Sequence, residues 1–392
     1  MNDALMPTYA RAAIAFERGE GVYLFDTEGR RYLDFAAGIA VNALGHAHPH
    51  LVAALTEQAA KLWHVSNLYQ IPESARLAER LAANSFADQV FFCNSGAEAM
   101  EGVIKLARRY QHQAGRPERS RIITCEGAFH GRTMTTLAAA KNPKHLDGFG
   151  PVAEGFDQVA FGNMNELRAA ITPETGAVLV EPIQGEGGVR VASLDYLRAL
   201  RVVCDEFDLL LLFDEVQTGM GRSGKLFAYE WSGIAPDAMA LAKGLGGGFP
   251  VGAFLATEKA AAGMTAGLHG STFGGNPLAM AVGNAVLDLL LEDGFLDRVD
   301  RLARRFRADL EGLAARHPRV LDEVRGAGLL LGLHCVVPNS ELVARLQDQG
   351  LLAVPAAENV VRLLPPLIAE ESHMEAALAI LDRVCAEAAE GA

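Results

Sequence analysis

Leu209-Leu210-Leu211-Leu212-Phe213 runs directly into Asp214-Glu215-Val216-Gln217. Five large apolar residues in a row, closed off by acids and an amide, read as a short strand buried on both faces. The same rhythm recurs on either side, at Gln89 to Cys93, Arg121 to Cys125, Gly176 to Glu181, Ala238 to Ala242 and Val251 to Ala256, with helical spacing in between. Strands that alternate with helices predict an α/β fold around a mostly parallel central sheet covered on both faces.

Farther out the pattern changes. Val22 to Asp26 and Arg31 to Phe35 are joined by a turn containing Gly29 and predict a hairpin. His48 to Ala83 is helical in spacing, interrupted at Pro72, and Met100 to Tyr110 is helical after the turn that follows Cys93. Asn276 to Leu291 and the arginine-rich Phe295 to Arg316 predict two long helices. Runs at Ala327 to His334, Leu351 to Val354 and Val360 to Leu364 lead to a last helix. At 392 residues the chain exceeds one ordinary core. We expect a large domain over 51–273 and a smaller α+β domain built from both chain ends, 1–50 and 274–392, with a linking helix at the start of the latter.

Hydrophobic residues make up 50% and charged ones 21%, the balance of a folded globular protein, and the formal charge of −13 disfavours nucleic acid as a partner. Cys93, Cys125, Cys204, Cys335 and Cys385 share no metal or redox spacing and read as reduced core residues. Met1 to Gly21 lacks the apolar centre of a secretory signal, and no apolar run approaches the length of a membrane span. Cytoplasmic residence without membrane contact is the expectation.

The chemistry gathers at strand ends, where open parallel sheets bind ligands. Asn94-Ser95-Gly96-Ala97-Glu98-Ala99 follows Cys93 and feeds a helix. Its free N–H groups can cup a phosphate, although such turns also cap helices without any ligand. Asp214, at the tip of so apolar a strand, needs a cation or a cleft; it either caps the next segment or keeps a ring nitrogen protonated. Lys243 ends Ala238-Met239-Ala240-Leu241-Ala242 and precedes Gly244-Leu245-Gly246-Gly247-Gly248, whereas the remaining lysines sit on helix surfaces or loops. An amine partly withdrawn from water attacks carbonyls more readily, the alternative being a surface lysine on a glycine loop. His46, His48 and His50 have loose spacing and no cysteine or carboxylate cluster beside them, so no metal is expected. Gly326-Ala327-Gly328 resembles a dinucleotide fingerprint but is expected before its strand rather than after one.

Taken together, a phosphate cup, a strand-tip acid and a lysine amine resemble the class III aminotransferases of the aspartate-aminotransferase-like fold, fold type I of the pyridoxal-phosphate enzymes. The resemblance spans nearly the whole chain. It rests on Gly45-His46-Ala47-His48-Pro49, Asn94-Ser95-Gly96-Ala97-Glu98, Phe129-His130-Gly131-Arg132-Thr133, Glu181-Pro182-Ile183-Gln184-Gly185-Glu186, Asp214-Glu215-Val216-Gln217-Thr218-Gly219 and Ser271-Thr272-Phe273-Gly274-Gly275-Asn276. Ile39 to His46 and Asn359-Val360-Val361-Arg362 resemble most the branch acting on acetylornithine. One departure stands out: Ala99-Met100-Glu101-Gly102 replaces an asparagine-bearing turn and bears on helix packing.

The resemblance implies pyridoxal 5′-phosphate as cofactor, with Lys243 as its Schiff-base lysine and general base and Asp214 beneath the ring nitrogen. Ser95, Gly96 and Ala97 would bind the phosphate, Phe129 and Val216 would cover the two ring faces, and Gln217 would approach the ring hydroxyl. Thr272 would complete the phosphate site of a partner subunit in a homodimer with shared active sites. Arg132 and Ser271 would hold acylated ornithine, Arg362 would take the α-carboxylate of glutamate with Glu186 as its mask, and Ile39 would favour an acylated substrate. The implied reaction moves the terminal amine of N-acetylornithine to 2-oxoglutarate. Succinylornithine, ornithine or gamma-aminobutyrate as donor, a lyase or decarboxylase on the same cofactor, and a non-catalytic cofactor-binding protein are the alternatives.

Overall fold

The structure, a computed structural model, describes residues 4–390. Its centre is a seven-stranded sheet in the order Gln89–Cys93, Gly252–Ala256, Ala238–Leu241, Leu210–Asp214, Thr175–Val180, Arg121–Cys125, Phe156–Val159. The strands from Ala238–Leu241 to Phe156–Val159 run parallel, and Gly252–Ala256 runs antiparallel to both of its neighbours.

Every residue of Leu210–Asp214 is buried. Alternation divides them between two cores: Leu210 and Leu212 pack with Met100, Val103 and Ile104 of the helix Gly96–Gln113, while Leu211 and Phe213 join Tyr196, Leu197 and Leu200 of the helix Leu194–Phe207. Each fully buried Leu or Phe contributes about 1.5–3 kcal/mol, which fixes this strand between its two helical layers. The unusual Gly102 is part of that packing. A Cβ there would lie 2.3 Å from Cε1 of Phe254, so glycine lets the aromatic ring of an adjacent strand lie against the helix.

A four-stranded sheet joins the chain's two ends: Phe16–Glu20, Tyr23–Asp26 and Arg31–Asp34 are antiparallel, and Leu351–Leu352 adds in parallel beside Arg31–Asp34. The hairpin turn is held by Oδ1 of Asp26, which accepts from the N–H groups of Glu28 and Arg30. A second sheet contains Leu321–Ala327, Leu330–Cys335, Val360–Leu363 and Val354–Ala356 in that order. No helix among the described residues is long and apolar enough to cross a membrane.

Several expectations need correction. Pro72 opens the helix Pro72–Ala83 rather than interrupting one, because its missing N–H lies where a helix has no acceptor for it. The helix after Cys93 begins at Gly96, one turn before Met100, capped by Ser95. Phe16–Glu20 and the edge strand Phe156–Val159 are additional; FERGE and FDQV carry too few apolar residues to announce strands. Gly326 and Ala327 precede a strand, as expected, and also end the one before it. No helix follows: Gly328 turns the chain into the antiparallel Leu330–Cys335, so no dinucleotide turn exists there.

Candidate active site

The carboxyl ends of the parallel strands open on a cavity of about 420 Å³, lined among others by Ser95, Gly96, Ala97, Phe129, Arg132, Asp214, Val216, Gln217 and Lys243. Val41, Phe249 and Pro250 supply further apolar wall. Asp214 ends its strand opposite Ala240 of the neighbouring parallel strand, and Lys243 stands three residues beyond that partner. Two adjacent strand tips thus aim an acid and an amine at one space.

Asp214 is 3% exposed and fully engaged at its rim. Its Oδ2 lies 2.8 Å from Nδ1 of buried His130, and its Oδ1 accepts from the N–H of Val216 at 3.0 Å. Glu215, the next residue, turns away from the cavity. It accepts from Ala228 and Tyr229 N–H groups and from the Thr218 hydroxyl, a structural cap that burial pushes up to about 7.

Lys243 is half-buried, and loss of solvation lowers its amine to about 8, with Glu186 opposing that shift. Lowered from 10.5, the amine holds far more of its neutral, nucleophilic form near neutral pH than an ordinary lysine does. Lys243 also has φ +43°, a left-handed conformation that costs about 1–2 kcal/mol in a residue with a Cβ. Such strain persists where surrounding structure imposes it, and strands on both sides fix the chain here.

At the opposite end of the cavity Ser95 caps the eighteen-residue helix Gly96–Gln113, its hydroxyl accepting from Glu98 N–H. Gly96 and Ala97 are first-turn residues, whose N–H groups have no carbonyl four positions back. A Cβ on Gly96 would come within 2.8 Å of Cγ1 of Val216. Glycine therefore keeps open a cradle between the helix N-terminus and the Val216 side chain, where the dipole favours an anion.

Beyond Gln217 lies a buried charge cluster. Arg362 has no side-chain exposure, and its Nη1 donates to Oε1 of Glu186 at 2.6 Å and to Oε1 of Gln217 at 2.7 Å. Its Nε and Nη2 have no hydrogen-bond partner among the described residues. Burial works against the charge on Glu186, but the Arg362 guanidinium outweighs it and holds the carboxyl below its usual range. Arg132 is exposed at the rim, 5.5 Å over the Phe129 ring, and pairs with no carboxylate among the described residues.

Three other expected positions lie apart from the cavity lining. Ser271 Oγ lies 3.2 Å from Nδ2 of Asn94, which does line it, and accepts from Gly274 N–H. Thr272 is exposed and is not part of the cavity lining. Ile39 is 40% exposed on a left-handed turn, Ala37 to Ala40, which Asp34 steadies by accepting from Ala36 and Ala37 N–H groups. The three early histidines have other uses: His46 bonds Asp34, His48 caps the helix Pro49–Ala59, and His50 pairs with Asp288.

His130 and Glu181 escaped the residue-level reading. Glu181 directly follows the strand Thr175–Val180, so the strand-tip rule that picked out Asp214 would also have found it. His130 carries no such mark, since its contact with Asp214 is made by folding alone.

Comparison with known proteins agrees with this geometry. The family described as Aminotransferase class-III matches residues 6–385. An acetylornithine aminotransferase of Mesorhizobium japonicum is 62% identical over 375 residues, covering 96% of this chain and 94% of that protein. The crystal structure of N-acetylornithine aminotransferase from Stenotrophomonas maltophilia superposes with a TM-score of 0.86 at 38% identity, over 98% of both chains. A structure of the ornithine aminotransferase from Toxoplasma gondii, with PLP at partial occupancy in its active site, gives a TM-score of 0.94 at 31% identity, covering 99% of this chain and 94% of that one. The chain belongs to the class III aminotransferases.

Proposed function

We propose that this aminotransferase carries pyridoxal 5′-phosphate on Lys243 and moves the terminal amine of N-acetylornithine to 2-oxoglutarate. The observation that carries the reading is the convergence of Lys243, Asp214 and the Gly96 cradle on one cavity. Bound there, the cofactor would supply an electron-withdrawing ring that spreads the negative charge left when the substrate carbon loses its proton. The first-turn N–H groups of Gly96 and Ala97 beside the Ser95 cap suit its phosphate, Phe129 and Val216 suit its two faces, and Gln217 lies within reach of its edge.

Asp214 holds negative charge at the sheet end of the cavity, and His130 keeps that carboxylate oriented. With the cofactor bound, Lys243 Nζ would be the base that lifts the proton from the amine-bearing carbon of the donor and, in the second half-reaction, would supply a proton to the carbon that receives the amine. Arg132, with no carboxylate partner, suits the α-carboxylate of the acylated donor. Ser271 reaches the lining only through Asn94, which its hydroxyl bonds. The wall of Val41, Phe129, Phe249 and Pro250 has no carboxylate to pair with a free ammonium, which favours a donor whose α-amine is acylated. Relatives of the same length bear that name, which supports the donor further.

Arg362 serves the second substrate in this reading. With Glu186 on Nη1 and two other N–H sides free, it can grip a carboxylate in bidentate fashion once Glu186 swings aside. Arg362→Ala should therefore lower kcat/KM for 2-oxoglutarate by about 10–100-fold, as expected for losing charge-assisted hydrogen bonds of 1.5–3 kcal/mol. The half-reaction with acetylornithine should change much less, which single-turnover kinetics for each half will measure.

A shared-site homodimer is part of the proposal. Trp63, Leu68, Tyr69 and Phe273 leave large apolar surface exposed beside Thr272, and Asn67 ties the two segments together through the carbonyls of Ser271 and Gly274. The five free, buried cysteines suit a reducing, cytoplasmic compartment. Steady-state kinetics with alternative donors test the substrate assignment. Acetylornithine should exceed free ornithine and gamma-aminobutyrate; a tenfold reversal, about 1.4 kcal/mol in transition-state binding, would defeat it.

A further inference from the structure

Two carboxyl groups meet at the sheet end of the cavity, yet the chemistry above employs only Asp214. Glu181 follows the strand Thr175–Val180, and Val180 lies opposite Phe213 in the parallel pair. The next register step sets Glu181 beside Asp214 at about 4.8 Å, the strand spacing. Both residues line the cavity, with exposures of 5% and 3%.

The surrounding nitrogen-bearing side chains are not shared equally between them. His130 bonds Asp214, Arg362 is committed to Glu186 and Gln217, and Glu181 forms no ion pair with any described residue. Its Oε2 instead accepts the backbone N–H of Phe129 at 3.0 Å. Two neighbouring buried carboxyls of which only one has a side-chain partner divide their protons unequally. Burial first, and then the charge of Asp214, push Glu181 well above the ordinary carboxylate range; the Phe129 N–H works against that shift without reversing it, Glu186 adds to it, and Lys243 opposes it.

We propose that Glu181 is a positioning residue that keeps its proton beside Asp214, so that the negative charge resides on Asp214, while its oxygen anchors Phe129 as an aromatic wall. Its value to catalysis rests on the reading that this cavity holds the pyridoxal cofactor. Its protonation does not.

The two parts are separable by experiment. A carboxyl raised on folding makes the native state hold a proton that the unfolded chain releases above its ordinary value of 4.5, so stability is lost as pH rises past that point. Glutamine has no such proton. In cofactor-free protein, the melting temperature of Glu181→Gln minus that of the wild type should be level below about pH 4.5 and grow steadily from there toward neutral pH. A difference that stays constant or falls with pH would overturn the proposal. For the anchoring role, cofactor dissociation constants are measured by absorbance titration of the full-length variants. Glu181→Gln keeps an acceptor for Phe129 N–H and should stay within about threefold of the wild type. Glu181→Leu leaves that N–H unpaired and should bind about tenfold or more weakly. Equal affinities for both variants, or a Gln variant as weak as Leu, would refute the anchor. Failure of the cofactor reading would appear separately, as the absence of any covalent link at Lys243.

Discussion

Lys243→Ala is expected to abolish turnover to within the limit of detection, a loss of about 10⁴-fold or more, while the cofactor still binds without a covalent bond. General-base catalysis alone is worth about 10²–10⁴-fold, and this substitution removes the attacking amine as well. The rest of the binding surface is untouched, because the Gly96 cradle, Phe129 and Asp214 come from other segments of the chain. The visible band of the covalent link should vanish from the spectrum. Retained turnover would remove Lys243 from the mechanism whatever else the cavity held. The lowered amine adds a pH signature to the unaltered protein: capture of the cofactor should accelerate as pH rises toward about 8, where the amine becomes neutral, and level off above it.

Asp214→Asn should reduce kcat by about 10²–10³-fold, the range found when one preorganised electrostatic group is removed. Asparagine keeps the shape and can still accept from His130 Nδ1, so the loss reports the missing charge rather than a collapsed wall. A Glu replacement would keep the charge but lengthen the side chain into a filled strand tip. Kinetics of the isolated half-reactions should show both slowed alike, since charge at this position serves proton removal in each direction. An Asn variant within threefold of the wild type would mean that the strand-tip acid is only a cap.

Much of this site was legible because parallel sheets put chemistry at strand ends. Leu210–Asp214 and Ala238–Leu241 announce themselves as apolar runs, and the acid and amine that end them stand out against those runs. The reading failed where residues do not mark their own conformation. Ala37-Gly38-Ile39-Ala40 contains a single glycine, yet all four residues adopt positive φ because Asp34 bonds the entry of the turn and Ala40 is buried against Ile183, Val189 and Val360. Direction was equally hidden. Gly252–Ala256 has the same apolar content as its neighbours and runs the other way, since alternation and burial do not depend on strand polarity. Phe156–Val159 lies at the sheet edge, where Asp157 can face Arg121 instead of a core, and so lacks the apolar run of a central strand. His130 is invisible in sequence for a different reason. Its partner is 84 positions away, and only the fold brings them together.

The most direct test of the account is chemical labelling. Purified protein is loaded with pyridoxal 5′-phosphate, treated with borohydride to fix any carbon–nitrogen link, digested and mapped by mass spectrometry, with a second sample exposed first to glutamate. The predicted outcome is a label confined to the peptide containing Lys243 in the first sample and largely lost in the second, because the amino donor has displaced the lysine. A label on Lys105, Lys225 or another surface lysine, or none at Lys243, would contradict it.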